Sequence, residues 1–240
     1  MLRLITDFDG PIIDVSERYY NVYKFCLDSI RYPDQPVQQL GKAEFWQLKR
    51  SRVPEKKIAI LSGLDEAQAS EFAQLRRKTV HTLPYFKYDC LAPGAVTALK
   101  KVQEAGVELA VMTMRRVHEL EYAFNQHDLG RFFPEDRCFC LANDYQKTRD
   151  IDDKPLLMER ALAELPLADD TWMVGDTEAD IITAKNHGVK VMAVLCGIRD
   201  RTQLELYQPD LIVKDLSEAV DLVLRPFLPK NESLALWPSP

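Results

Sequence analysis

The sequence lacks any run of about 18 apolar residues, the shortest stretch that reads as a membrane-spanning helix. It also lacks a recognisable secretory leader, because the apolar stretch Leu2–Thr6 is short and runs directly into acidic residues. We therefore expect a protein with no membrane span and no signal peptide.

An excess of basic residues is missing as well. Lys and Arg number 31 against 37 Asp and Glu, which gives a net charge of −6. Nonspecific nucleic-acid binding needs clustered Lys and Arg to neutralise phosphates, so we expect no nucleic-acid partner. A small phosphorylated ligand remains compatible with this charge, because a local cation can set the sign of the field inside one cleft.

The five cysteines include no C-x-x-C pair of the kind found in zinc sites. The closest pair is Cys138-Phe139-Cys140, whose two thiols would point to the same face of a strand. We expect core packing for this pair, reduced thiols throughout and a cytoplasmic location.

Short apolar runs that end at Gly, Asp or Thr are typical of buried strands. The runs of this kind are Leu2–Thr6, Glu108–Thr113, Cys138–Leu141, Thr171–Val174, Lys190–Leu195 and Leu211–Val213. Helical patterns separate several of them, namely Ala95–Ala105, Leu156–Leu165 after Pro155, and Ala179–His187. This alternation predicts an α/β fold, with a parallel sheet covered by helices on both faces.

The stretch from Asp14 to Leu91 differs, because it has amphipathic helical patterns and no clear strand. The pattern predicts an inserted α-helical domain at residues 14–91, within a core domain formed by residues 1–13 and 92–225. The last residues, 226–240, contain four prolines and are expected to form a loose or surface-packed tail.

Polar side chains follow three of the predicted strands. They are Asp7 and Asp9, then Thr113, then Asp176 and Asp180. Lys154 stands just before a predicted helix. The carboxyl ends of parallel strands meet at one edge of a sheet, where ligands bind in α/β folds. We therefore expect these side chains to converge.

Each motif alone also has a simpler explanation. Asp7 and Asp9 suit a solvated turn, and Asp176 or Thr177 suits a helix cap. Thr113 is an ordinary strand-ending residue, and most lysines like Lys154 are solvated. However, two neighbouring carboxylates repel unless a cation absorbs their charge, and Mg²⁺ prefers carboxylate oxygens. The order of the motifs favours a site for a metal and a phosphate.

That order resembles the haloacid dehalogenase-like hydrolase superfamily. Asp7-Phe8-Asp9-Gly10 looks like its first motif, Thr113 its second, Lys154 its third and Gly175-Asp176 through Asp180 its fourth. Val174–Gly197 and Pro209–Val213 are similar to the phosphoglycolate phosphatase-like branch. The resemblance covers residues 2–15 and 92–224 and implies a Rossmann-like core with a helical cap inserted after the first motif. Pro11 departs from the usual Thr or Val and removes an amide donor.

The resemblance implies a Mg²⁺-dependent phosphatase that acts through an aspartyl-phosphate on a small phosphorylated metabolite, phosphoglycolate-like or a sugar phosphate. Asp7 would be the nucleophile, and Asp9 the general acid and base. The expected metal ligands are Asp7, the backbone carbonyl of Asp9, Asp176 and Asp180. Thr113 and Lys154 would bind the phosphoryl oxygens.

Two other functions fit the same motifs: a sugar phosphomutase of the superfamily, and a noncatalytic protein that binds a phosphorylated ligand. Arg115 is a candidate for substrate contact because it closely follows Thr113. The basic run with Lys49, Arg50 and Arg52 either binds an anionic group or faces solvent. We expect the inserted domain to be a mobile lid that carries substrate specificity together with Arg115.

Overall fold

The computed structural model describes residues 1–225 of the chain, so the predicted tail at 226–240 lies outside the described residues. The strands are β1 (Leu2–Thr6), β2 (Ile13–Asp14), β3 (Cys90–Leu91), β4 (Glu108–Arg116), β5 (Cys138–Leu141), β6 (Asp170–Gly175), β7 (Lys190–Val194) and β8 (Leu211–Val213).

The first five helices all lie between β2 and β3. They are α1 (Ser16–Ile30), α2 (Lys42–Arg50), α3 (Glu55–Leu61), α4 (Glu66–Thr79) and α5 (Leu83–Phe86). The remaining helices alternate with strands, and they are α6 (Ala95–Glu104), α7 (Val117–His127), α8 (Asp150–Glu164), α9 (Glu178–Asn186), α10 (Arg201–Glu205) and α11 (Leu216–Leu224). A short 3₁₀ turn, Glu135–Arg137, precedes β5.

Six strands form one parallel sheet in the order β5-β4-β1-β6-β7-β8. The strand β1 is central, and its neighbours on the two sides are β4 and β6. The carboxyl ends of these three strands therefore lie side by side. The predicted α/β class with a parallel sheet is confirmed.

Helices cover both faces of the sheet. Successive residues of a strand point to opposite faces, and in β1 the side chain of Leu4 joins the core under α6 and α11, while Ile5 joins the core under α8 and α9. Apolar side chains on both faces explain why the strands are continuous apolar runs and do not alternate with polar residues.

The helices α1–α4 pack around an apolar cluster of their own, centred on Tyr23, Phe45 and Phe72. The two chain connections to this helical segment form a small antiparallel sheet, in which Ile13 pairs with Leu91 and Asp14 pairs with Cys90. The helical patterns expected between Asp14 and Leu91 are present as α1–α5. The division into a core domain and an inserted domain at residues 14–91 stays a prediction.

Two local predictions were wrong. The strand β4 does not end at Thr113 but continues to Arg116, because its pairing with β5 shifts register between Met112 and Arg116. The helix α8 begins at Asp150, so Lys154 lies inside the helix and not just before it. Pro155 is compatible with this helix, since its missing amide costs one hydrogen bond close to the amino-terminal end, where few are formed.

Candidate active site

Asp7 lies in the turn directly after β1. Its amide donates to the carbonyl of Val174 in β6 at 2.7 Å, which extends the strand ladder by one residue. Its Oδ1 accepts a hydrogen bond from the amide of Phe8 at 2.8 Å. The side chain is buried and oriented by the backbone of its own turn.

Gly10 allows this turn to pass close to Asp176. Its φ is +95°, a backbone conformation that favours glycine, and a Cβ at this position would lie 2.5 Å from Cγ of Asp176. Both the backbone conformation and the lack of space therefore exclude a larger residue. The amides of Ile12 and Ile13 both donate to the carbonyl of Phe8, at 3.1 and 3.0 Å. The turn therefore closes without an amide at position 11, which is why Pro11 is tolerated.

Three buried carboxylates meet at the carboxyl edge of the sheet. Asp7, Asp176 and Asp180 each present an oxygen within 4.8 Å of the other two. Burial raises the pKa of Asp7 well above its ordinary value. The charge of Lys154 lowers this pKa, and the charges of the neighbouring acids raise it further. Burial, and then the charge of Asp180, raise the pKa of Asp176 to about 7. The protein alone does not neutralise this cluster.

Lys154 is the cation closest to the cluster. Its Nζ lies 3.0 Å from Oδ1 of Asp7 and 2.5 Å from Oδ1 of Asp180. Burial would lower the pKa of Lys154, but the two carboxylates outweigh burial and raise it, so the side chain is an ammonium ion. One ammonium cannot neutralise three carboxylates, so the cluster can accept further positive charge. This donor set fits a divalent, oxygen-preferring cation such as Mg²⁺.

Backbone amides hold the two acids of the α9 end in place. Oδ2 of Asp180 accepts from the amides of Asp176 and Thr177, at 3.1 and 2.9 Å, and from the Thr177 hydroxyl at 2.7 Å. Oδ2 of Asp176 accepts from the amide of Ile198 at 2.6 Å. Of the two capping residues considered from the sequence, Thr177 is the N-cap of α9 and forms a capping box with Asp180, whose other oxygen still faces Lys154.

A cavity of about 150 Å³ opens above these groups. Asp7, Asp9, Thr113, Lys154 and Asp176 border it from the sheet edge. Its size admits a phosphoryl group with only a few further heavy atoms. The cavity therefore brings together the groups predicted for the nucleophile, the acid and base, and the phosphate-binding residues.

The helical segment closes the cavity from the other side through Tyr19 and His81. Lys147 and Arg199 also border the cavity from the core. None of these four side chains was singled out by the sequence patterns.

Asp9 is held by two arginines. Nε of Arg115 donates to its Oδ1 at 2.8 Å, and Nη2 of Arg18 donates to its Oδ2 at 2.8 Å. Burial would raise the pKa of Asp9, but Arg115 and Arg18 together outweigh burial and hold it well below the usual range. In this conformation Asp9 is a carboxylate, which is the form of a base.

Comparisons with known proteins agree with the geometry. Residues 153–219 match the family model described as HAD-hydrolase-like. The chain is 24% identical over 224 residues to the pyrophosphatase PpaX of Anoxybacillus flavithermus, covering 92% of this chain and 95% of that protein. It is 27% identical over 134 residues to a phosphoglycolate phosphatase of Pseudomonas fluorescens, covering 56% of this chain and 47% of that protein.

A solved structure shares the fold. It is a haloacid dehalogenase-like family protein from Streptococcus pneumoniae, with a TM-score of 0.63 and 20% identity, covering 94% of this chain and 98% of that chain. The chain is therefore similar to haloacid dehalogenase-like proteins in its fold and, at residues 153–219, in its sequence. The matched region includes Lys154 and Asp176, which border the cavity, and Asp180, which lies beside them.

Within this superfamily fold, Arg115 has less freedom than the sequence indicated. Its Nε and Nη2 are engaged by Asp9 and Asp89, and its remaining Nη1 is buried without a hydrogen-bond partner among the described residues. The role of Arg115 in substrate contact stays a prediction.

The basic run of the helical segment divides between two environments. Lys49 pairs with Glu55 inside the segment. Nη2 of Arg50 donates to the carbonyl of Leu195 at 2.8 Å, which joins the segment to the sheet side of the cavity. Two neighbours of Arg50 make contacts of the same kind: Ser51 with Asp200 at 2.6 Å, and Arg52 with Tyr207 at 3.0 Å and with Glu178 at 3.2 Å.

No helix among residues 1–225 is both long enough and apolar enough to cross a membrane. The cytoplasmic location remains an expectation from the sequence.

Proposed function

We propose that this chain is a Mg²⁺-dependent phosphatase that hydrolyses a small phosphorylated metabolite through an aspartyl-phosphate on Asp7. The observation that carries the proposal is the position of Asp7, whose carboxylate borders the cavity while Lys154 and two further acids surround it. The names of the relatives, pyrophosphatase and phosphoglycolate phosphatase, support the same chemistry.

In the first step, a carboxylate oxygen of Asp7 bonds to phosphorus while the bond from phosphorus to the leaving oxygen breaks. The leaving oxygen takes a proton from Asp9, which is a carboxylate in the free protein and would take up this proton when the negative charge of the substrate enters the cavity. In the second step, Asp9 removes a proton from water, whose oxygen bonds to phosphorus as the bond to Asp7 breaks. Inorganic phosphate leaves, and the Asp7 carboxylate and the protonated Asp9 are restored.

Asp7, Asp176, Asp180 and the backbone carbonyl of Asp9 would hold the Mg²⁺ ion. When bound, the ion offsets the charge of the carboxylates and of the phosphoryl oxygens. Lys154 would hold Asp7 in line through the contact at its Oδ1 and would bind a phosphoryl oxygen, as would the Thr113 hydroxyl. Phosphoryl transfer depends mostly on such positioning and charge neutralisation.

The cavity supports a small substrate. A volume of about 150 Å³ suits pyrophosphate or a phosphorylated two-carbon acid better than a large sugar phosphate. Lys147 and Arg199 also border the cavity, where they pair with Asp150 and Glu178, and they would attract a second negative charge on such a substrate.

Phosphate release from a panel of esters tests this proposal. The panel should contain pyrophosphate, 2-phosphoglycolate, several sugar phosphates and an aryl phosphate, each with and without Mg²⁺. We expect release that needs Mg²⁺, is fastest for a small anionic substrate, and falls by at least about a thousandfold in Asp7→Asn. A parallel isomerisation assay with sugar 1-phosphates tests the phosphomutase alternative. Binding of these compounds without turnover would instead favour the noncatalytic alternative.

A further inference from the structure

Two arginines and two aspartates form a closed ring beside the cavity. Arg18 contacts Asp9 at 2.8 Å and Asp89 at 3.0 Å. Arg115 contacts the same two acids, with Nη2 at 2.6 Å from Asp9 and 2.5 Å from Asp89. Opposite charges alternate around the ring, so its formal charges cancel.

The four members come from separate parts of the chain. Asp9 follows β1, and Arg115 lies in β4. Arg18 stands in the first turn of α1, shortly after β2, and Asp89 immediately precedes β3. Because β2 and β3 pair with each other, the ring lies where the helical segment joins the sheet.

Three members of the ring are shut off from water, whereas the Asp9 side chain is 26% exposed. Arg18, Arg115 and Asp89 are 0%, 3% and 2% exposed. The guanidinium carbons of both arginines lie 4.9 Å from the centre of the Phe86 ring, which adds a cation–π contact to each. Buried charges are tolerated only when they are paired, so each member depends on its neighbours to stay in place.

The contacts of the ring differ in quality. The contacts from Nε of Arg115 to Asp9, from Nη2 of Arg115 to Asp89 and from Arg18 to Asp9 have the distance and the angle of hydrogen bonds. The contact from Nε of Arg18 to Oδ1 of Asp89 has the distance of an ion pair without hydrogen-bond alignment. Asp89 is therefore held mainly by Arg115. In turn, Asp89 holds in place the Arg115 guanidinium that donates to Asp9.

We propose that Arg18, Arg115 and Asp89 are positioning residues that fix the carboxylate of Asp9 towards the cavity, a role that rests on the proposed function. Both oxygens of Asp9 are held from different directions, which leaves the carboxylate one orientation. Asp89 does not touch Asp9, so it acts only through the two arginines. Arg115 uses Nε and Nη2 for this purpose, and only its Nη1 has no partner among the described residues.

The leaving group separates this role from a general structural one. An alkyl ester needs a proton from Asp9 to depart, whereas an activated aryl ester needs it much less. Misplacing Asp9 should therefore slow the alkyl ester selectively in single-turnover transfer. A distorted fold or a lost metal site would slow both esters by the same factor.

Asp89→Asn is the main variant, because it removes one charge and keeps the shape. We expect the ratio of alkyl to aryl transfer rates to fall about tenfold, and further in Arg115→Lys, whose single ammonium cannot hold both acids. Arg18→Lys should fall between wild type and Arg115→Lys. Glu17→Gln is the matched control on the same helix, since Glu17 pairs with Lys42 at the surface, and its ratio should stay at the wild-type value.

Crystal structures of wild type and Asp89→Asn give a readout that needs no activity. We expect the Asp9 carboxylate to turn in the variant while Asp7 and Asp176 stay in place. An unchanged rate ratio in folded Asp89→Asn, or an unmoved Asp9 in its crystal structure, would overturn the inference. If the variant does not fold, Arg18→Lys decides by the same two criteria. Absence of phosphate release from wild type would overturn only the proposed function. The orientation of Asp9 in the two crystal structures would still test whether the ring positions this carboxylate.

Discussion

Nζ of Lys154 lies 3.0 Å from Oδ1 of Asp7, and both side chains are buried. The ammonium also contacts Asp180, so a single cation supports two acids of the proposed metal site. The protein without metal depends on this one lysine to keep the carboxylates together.

Replacing that lysine should therefore affect stability as well as activity. In Lys154→Met the three buried acids lose the one ammonium that contacts them among residues 1–225, which we expect to lower metal-free stability by about 3 kcal/mol, the scale for breaking a buried pair. Added Mg²⁺ should raise the melting temperature more in Lys154→Met than in wild type. Thermal unfolding with and without Mg²⁺ measures both effects.

Lys101→Met is the control for this experiment, because Lys101 pairs with Asp221 at the surface. It should unfold like wild type under both conditions. Equal stabilisation by Mg²⁺ in all three proteins would contradict a role of Lys154 in balancing the acids.

The pKa of Asp176 predicts how metal binding depends on pH. Because burial and Asp180 raise this pKa to about 7, a proton competes with the cation below that value. We expect Mg²⁺ affinity to weaken by about tenfold per pH unit as the pH falls below 7. Calorimetric titrations at several pH values measure this slope, and Asp176→Asn should abolish it along with most of the binding.

The same shift has a consequence for stability without metal. A carboxyl whose pKa is raised in the folded state binds more protons folded than unfolded, so its contribution to stability is full below about pH 4 and is lost as the pH rises through about 7. The metal-free protein should therefore lose stability in this window. An opposite slope for the difference between wild type and Asp176→Asn would contradict the raised pKa.

The contacts between the helical segment and the core predict that mutations there slow the hydrolysis of all substrates to a similar extent. Arg50, Ser51 and Arg52 bind the core, so Ser51→Ala or Arg52→Met should weaken closure over the cavity. We expect kcat/KM to fall severalfold for a small anionic substrate and for a generic ester alike. Arg77→Met, an exposed position on α4, is the control and should change neither. A loss confined to the anionic substrate would show that the basic run reads the substrate, which was the first sequence-based alternative.

Much of the fold follows from local patterns. A strand such as β1 is buried on both faces, so Leu2–Thr6 is a mostly apolar run, interrupted by Arg3, that can be read without the structure. The limits of β4 and α8 could not be predicted, because they depend on a register shift against β5 and on how an early Pro155 fits its helix. Such features arise from neighbouring elements.

The residues of the site also divide into those that could be predicted from the sequence and those that could not. Asp7 and Asp176 could be predicted because each stands at the end of a strand, where sheet topology brings them together. Arg18 and Asp89 could not be predicted, since nothing in their local sequence distinguishes them from surface charges. One signal was available: both stand close to the points where the helical segment leaves and rejoins the sheet. Only the packing of that segment turns them into partners of Asp9.

Trapping the phosphorylated enzyme tests the central claim most directly. In Asp9→Asn the nucleophile remains, but the base that activates water in the second step is lost, so the aspartyl-phosphate should accumulate with an activated aryl phosphate. The protein is quenched in acid, digested, and analysed by mass spectrometry. The account predicts one added phosphoryl group on the Asp7-containing peptide of Asp9→Asn. It predicts no added phosphoryl group in the double variant that carries both Asp7→Asn and Asp9→Asn. Phosphate release by wild type with no phosphorylated Asp7 peptide in Asp9→Asn, or with the label on another residue, would contradict it.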